Sequence, residues 1–183
     1  MGRFLYPVDT DQFADIRKDG KVYVDKTDMV FDLVSKYRYV FLARPRRFGK
    51  SLLCNTFKAY FLGQKELFEG LKIMDLEKEW KKHPVLHFTM SGLKNLTVPE
   101  AKTKLESLIR GYENAYGRDP LSISPRDRFR DLIHHAFEQT GEKVVVILDE
   151  YDSAIMRLMY EPEQLEPMRT MPRASDQAPK DAG

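Results

Sequence analysis

The sequence holds one cysteine in 183 residues, Cys54. A lone thiol cannot close a disulfide within the chain or build a multi-cysteine metal site. An excess of one charge is also missing: 30 basic residues against 28 acidic leave a net charge of +2. That near balance describes a solvated globular surface and excludes a chain built to coat a polyanion, so any phosphate or nucleic-acid site has to be local. No apolar run reaches the roughly 18 residues needed to span a bilayer, and residues 1–8 lack the apolar core of a signal peptide. No internal repeat is visible. What is present, 42% hydrophobic residues with 11 Phe and 9 Tyr, suffices for a buried core and excludes wholesale disorder. The expectation is a cytoplasmic protein in a reducing compartment, with no membrane partner.

Apolar spacing orders the chain. Residues 10–18 read as a short helix capped by Thr10 and ended by Gly20, and residues 21–25 as a short strand. Thr27 then caps a helix with Met29, Val30, Leu33 and Val34 on one face. Residues 39–43 form a continuous apolar run, the pattern of a strand buried on both faces. After a basic loop, Leu53, Phe57, Tyr60 and Phe61 repeat at helical spacing until Gly63. Residues 84–90 are a second strand candidate. Thr97 and Glu100 form a capping box with Pro99 in the first turn, ahead of a helix burying Ala101, Leu105, Leu108, Ile109 and Tyr112. Ser124 and Pro125 open another, with Phe129, Leu132, Ile133, Ala136 and Phe137 inward and Gly141 closing it. Residues 144–148 form the strongest buried strand and run into Asp149 and Glu150. Strands alternating with helices predict an α/β layered sheet, mostly parallel. The last 23 residues hold four of the ten prolines, one leucine and no aromatic, which predicts a disordered tail over 161–183 behind a domain over 1–160.

Chemistry concentrates at Gly49-Lys50-Ser51, between an apolar run and a helix. A helix N-terminus presents unpaired N–H groups and partial positive charge. Glycine lets the backbone close on a phosphate. Lysine brings a mobile charge to the β- and γ-phosphates, and the serine hydroxyl can join a Mg²⁺ shell. In the Walker A pattern Gly-x-x-x-x-Gly-Lys-Ser/Thr, Arg44 stands where the first glycine belongs, and Pro45 is a candidate for shaping the entry turn. The alternative is a basic turn that simply caps a helix. Asp149, at the carboxyl end of a strand, can hold Mg²⁺ through water, and Glu150 can polarise an attacking water, as in a Walker B motif. The alternative there is a solvated strand-exit loop. Both motifs sit where ligands bind parallel sheets. No Asn-Lys-x-Asp guanine reader is present, which favours adenine. Arg44, Arg46, Arg47 and Lys50 place four positive charges in seven residues, for triphosphate neutralisation or for nucleic acid. Phe48 fits a core anchor for the loop, with stacking on a base as the alternative. His87 alternates with Leu86 and Phe88 and reads as facing the other side of its strand. Cys54 reads as a small core residue.

With those residues placed, the chain resembles the AAA-ATPase-like family of bacteria and archaea. The matching stretches are Tyr23-Val24-Asp25-Lys26-Thr27, Arg44-Pro45-Arg46-Arg47-Phe48-Gly49-Lys50-Ser51-Leu52, Leu67-Phe68-Glu69-Gly70-Leu71, His83-Pro84-Val85-Leu86 and Leu148-Asp149-Glu150-Tyr151-Asp152. They cover about residues 5–155, and the chain departs from the pattern shortly after Asp152. In that family the missing first glycine is normal. The resemblance implies a P-loop NTPase-like layered parallel sheet flanked by helices, incomplete at the C-terminus. It implies ATP and Mg²⁺ as cofactors, with the loop Pro45, Arg46, Arg47, Phe48, Gly49, Lys50, Ser51 and Leu52 around the nucleotide. Lys50 would contact the phosphates, Ser51 and Asp149 the metal, and Glu150 would be the hydrolytic carboxylate. Residues Tyr23 to Thr27 become candidates for base contact.

Family members continue into further strands, a sensor residue and arginines that read the γ-phosphate, and many carry a nuclease-like domain of the PD-(D/E)XK type. In such folds the strand between the two motif strands follows the second in sequence. Here it would be missing, leaving orphaned backbone groups at about 1–3 kcal/mol each. The expectation is therefore an ATP-binding domain with impaired hydrolysis, self-associating or awaiting a C-terminal half. A nucleic-acid-processing module and a non-catalytic fragment are the alternatives.

Overall fold

Local signals at both ends define the two longest helices of the computed structural model, which describes residues 5–43, 48–90 and 96–150. The Thr97 N–H donates to the Glu100 carboxylate at 2.7 Å, completing the capping box of α5 (Val98–Tyr116). The Asp127 N–H donates to Ser124 Oγ at 3.1 Å at the start of α6 (Pro125–Thr140). Gly141 ends α6 at φ +68°, its N–H on the Phe137 carbonyl at 2.7 Å. That left-handed geometry is open to glycine without a Cβ penalty.

The other helices are α1 (Phe13–Lys18), α2 (Thr27–Lys36), α3 (Lys50–Phe61) and the single turn α4 (Ile73–Leu76). Two strands, β1 (Val85–Thr89) and β2 (Val145–Asp149), pair in parallel, with Val85 opposite Val145 and Thr89 opposite Asp149. Their connection runs through α5 and α6, the crossover that a parallel pair requires. The chain is thus mixed helix with a small parallel sheet, of the α/β class.

Strand alternation sorts the core into two layers. Val85, Val145 and Ile147 pack on one side with Phe57, Phe68 and Trp80. Leu86, Phe88, Val146 and Leu148 pack on the other with Leu105, Ile109, Phe129 and Leu132 of α5 and α6. Arg128 of α6 is tied to Glu113 of α5 by two hydrogen bonds, 2.8 and 2.6 Å, with both side chains 4% exposed.

The outer edge of β1 is sealed by one side chain. The Tyr112 hydroxyl accepts from the His87 N–H at 2.7 Å and donates to the His87 carbonyl at 2.9 Å. Terminal bonds from Val145 N–H to the Pro84 carbonyl and from Met90 N–H to the Asp149 carbonyl fix the phase of the ladder. Val146 and Leu148 therefore point their backbone groups away from β1, and among the described residues no strand meets them.

Several expectations are corrected here. Residues 39–43 form no strand: Tyr39 is 56% exposed, and Val40 and Phe41 are also exposed. An apolar run becomes a buried strand only if neighbours take up its backbone groups, and the described sheet is two strands wide. Residues 21–25 form no strand and join no sheet among the described residues. Val22 N–H finds the Leu5 carbonyl at 2.7 Å, and Tyr23 turns onto Phe13 with ring centroids 5.2 Å apart. The first helix begins at Phe13 because Thr10 accepts the Gln12 N–H in a turn ahead of it. Met29 and Phe137, expected on inward faces, are exposed. The expected tail, 161–183, and the end of the expected domain, 1–160, lie outside the described residues.

Candidate functional site

Gly49 sits at φ +69°, immediately before α3, and a Cβ built there would meet nothing within 4 Å. The backbone turns into the helix through a conformation glycine adopts freely. No side chain of the described residues caps α3, and its first turn holds no acidic residue. A helix start with no side-chain cap among the described residues presents the N–H groups and positive end that suit an anion. Arg44, Pro45, Arg46 and Arg47 lie outside the described residues. Phe48 is 63% exposed, so it does not anchor the loop in the core. Leu52 is half-buried and packs against the core beneath α3.

Asp149 and Thr89 end their strands directly opposite one another. Asp149 is 4% exposed. Glu150, the next residue, has φ +54°, a left-handed geometry uncommon for a non-glycine residue, which breaks the line of the strand at this point. A cavity of about 320 Å³ is lined by α3 from Ser51 to Lys58 and by the carboxyl ends of the strands. Ser51, Asp149 and Glu150, taken from two motifs about 100 residues apart, line the same cavity. Its donor set of a hydroxyl and two carboxylates suits a hard divalent cation, and the α3 start suits the phosphates that would accompany one.

Asp149 also shapes a neighbour. Burial, together with the Asp149 carboxylate that its thiol meets, pushes Cys54 up to about 12. A thiol pushed up this far stays protonated at neutral pH, which does not suit a nucleophile.

His87, Asn55, Lys58 and Asp11 join the cavity wall, and the motifs did not single them out as a group. The signal was available in part: Ser51, Asn55 and Lys58 fall at i, i+4 and i+7, one face of α3. His87 shares its face of β1 with Thr89, which lies opposite Asp149. Burial lowers the proton affinity of His87; Lys58 lowers it further, against opposing pulls from Asp149 and Asp11.

The segment from Tyr23 to Thr27 has structural duties. Asp25 accepts from Thr27 N–H at 2.9 Å, Thr27 Oγ1 at 2.7 Å and Lys72 N–H at 2.8 Å, while Thr27 Oγ1 accepts from Ile73 N–H at 3.1 Å. Burial works to raise Asp25, but these bonds outweigh it and hold its carboxyl below the usual range. The pair fastens α4 to the start of α2.

A family model described as "Predicted AAA-ATPase" matches residues 7–180, which runs past the expected limit of 155. The chain belongs to this family. A protein of Azotobacter chroococcum mcd 1, described as an uncharacterized protein in the vnfD 5′ region, is 37% identical over 164 residues, 89% of this chain. The match covers 32% of that relative, so the chain spans about a third of its length. No solved structure matches. Among the described residues, no helix is long and apolar enough to cross a membrane.

Proposed function

We propose that the chain is the ATP-binding part of a cytoplasmic, Mg²⁺-dependent P-loop ATPase, with a layered parallel sheet completed by further polypeptide. The observation that carries this reading is the single cavity shared by Ser51, Asp149 and Glu150. On this reading Lys50 and the amides at the start of α3 hold the phosphates. Ser51 Oγ and the Asp149 carboxylate hold the cation, directly or through its waters. The cation supplies charge neutralisation on the β- and γ-phosphate oxygens. Glu150 orients a water and takes its proton. The edge of β2 that meets no described strand and the exposed residues Tyr39, Val40 and Phe41 favour an incomplete sheet, and hence slow turnover, in this chain alone. A further strand beside β2 would come from a C-terminal half or a second copy.

The test is binding of a fluorescent ATP analogue with Mg²⁺, on this chain and on Lys50→Ala and Asp149→Asn. Micromolar binding lost in Lys50→Ala, with the Mg²⁺ dependence lost in Asp149→Asn, is the expected result. A folded chain that binds no nucleotide overturns the reading. The exposed ring of Phe48 beside a basic loop favours one further use, contact with single-stranded nucleic acid by stacking. A salt-sensitive DNA shift abolished by Arg46→Ala and Arg47→Ala, with ATP binding retained, would support it.

A further inference from the structure

The cavity is larger than a cation and one carboxylate pair require, and it is polarised along α3. Ser51, Asp149 and Glu150 mark one end. Lys58 is seven residues further along the helix, roughly 10 Å at 1.5 Å per residue. Lys58, Asn55 and His87 line the same cavity, with Asp11 held to Asn55 through its carbonyl. Three carboxylates line the same cavity, yet Lys58 Nζ makes no ion pair with any of them or with any other described residue. His87 Nε2 is buried without a hydrogen-bond partner among the described residues. Buried polar atoms are normally satisfied, so the orphan imidazole nitrogen, in a cavity that also holds an unpaired ammonium, calls for a ligand. The Asn55 side-chain amide is already engaged, donating to the Asp11 carbonyl at 3.0 Å. This holds Asn55 in place as part of the wall.

We propose that the Lys58 end of the cleft is a subsite for a phosphate-class oxyanion, bound by the Lys58 ammonium and by His87 Nε2 as its N–H tautomer. It rests on the nucleotide reading in one respect: the carboxylate end must be neutralised by a divalent cation before an anion enters. With Asp11, Asp149 and Glu150 against one lysine, the empty cavity is net negative. A cation at Ser51 and Asp149 removes that excess and leaves Lys58 to attract the oxyanion. Inorganic phosphate, the product expected beside the nucleotide, has the size and charge for this place. The subsite would hold it away from the α3 start after the anhydride bond is broken.

Calorimetric titration of the 183-residue chain with orthophosphate, with and without Mg²⁺, tests this, alongside the ATP analogue. Circular dichroism melts check that each variant is folded. Orthophosphate should bind only with Mg²⁺ present. Lys58→Gln should weaken it by at least about tenfold, the loss of one charge-assisted hydrogen bond, and Lys58→Arg should recover most of that. His87→Asn should also weaken it, giving a reading that does not depend on Lys58. Lys50→Ala should cost more for the ATP analogue than for orthophosphate, the reverse of Lys58→Gln. Orthophosphate binding equal in Lys58→Gln and wild type, lost in parallel with the nucleotide in Lys50→Ala, or absent altogether would overturn the proposal. If the wild-type chain binds no ATP analogue while orthophosphate still depends on Lys58, the nucleotide reading fails and the subsite stands.

Discussion

Arg128 and Glu113 carry the heaviest electrostatic demand of any single pair in the described chain. Both side chains are nearly out of water, and two parallel hydrogen bonds hold them in a fork that suits guanidinium and carboxylate. The Arg128 bond is the main reason the Glu113 carboxyl lies below its ordinary range; burial opposes it and loses. A carboxyl lowered on folding stabilises the protein above its unfolded value of 4.5, and that contribution disappears as pH falls through the lower folded value. Wild-type stability should therefore decline on acidification below about 4.5. Glu113→Gln should be less stable at neutral pH by about 3 kcal/mol, since it leaves the guanidinium buried without a counter-charge. It should also show a flatter acid limb. Urea denaturation from pH 7 down to pH 3 checks both. Neither residue could be singled out from the sequence: a charged pair on two amphipathic helices reads as a solvated face until the helices pack.

At the scale of the element, β1 is instructive because its two edges are handled differently. One edge pairs with β2, and the other is closed by a tyrosine hydroxyl from α5 that serves both the N–H and the carbonyl of His87. A single side chain thus replaces a neighbouring strand at one residue and discourages edge-to-edge pairing there. Tyr112→Phe keeps the ring packed on Phe88, at 5.3 Å between centroids, and removes only the hydroxyl. It should cost about 1–2 kcal/mol in a denaturant titration, with amide exchange at His87 accelerated. Tyr112 was legible as an apolar position of an amphipathic helix. Its hydroxyl's role was not, because a helical period says which way a residue faces and not which backbone atom it meets. The capping box of α5 was legible in full, since Thr97 and Glu100 lie within one turn of sequence, and the start of α6 was legible at Ser124 and Pro125, though not the bond Ser124 takes from Asp127.

For the whole molecule the decisive feature is the other side of the sheet. β2 pairs through Val145, Ile147 and Asp149, while Val146 and Leu148 face an edge with no described strand. Hydrogen exchange on this chain alone should alternate along β2, with Val146 and Leu148 exchanging faster than Val145 and Ile147. Polypeptide that completes the sheet should remove the alternation. Slow exchange at all four in the isolated monomer would refute the open edge and, with it, the explanation offered for impaired turnover.

The sequence by itself determined where α5 and α6 start, where Gly141 ends α6, the two strands that run through 85–89 and 145–149, and the two motifs that point to phosphate and cation. These are short-range properties, set by caps, glycines and side-chain period over a few residues. Family membership followed from the same stretches. Only the tertiary structure decided that residues 39–43 remain outside the described sheet, that Asp25 and Thr27 fasten α4 to α2, and that Ser51 meets Asp149 in one cavity with Lys58 and His87. Each of these depends on which distant atom satisfies a given backbone group or charge. A pattern read along the chain cannot supply that partner, because packing chooses it across the fold.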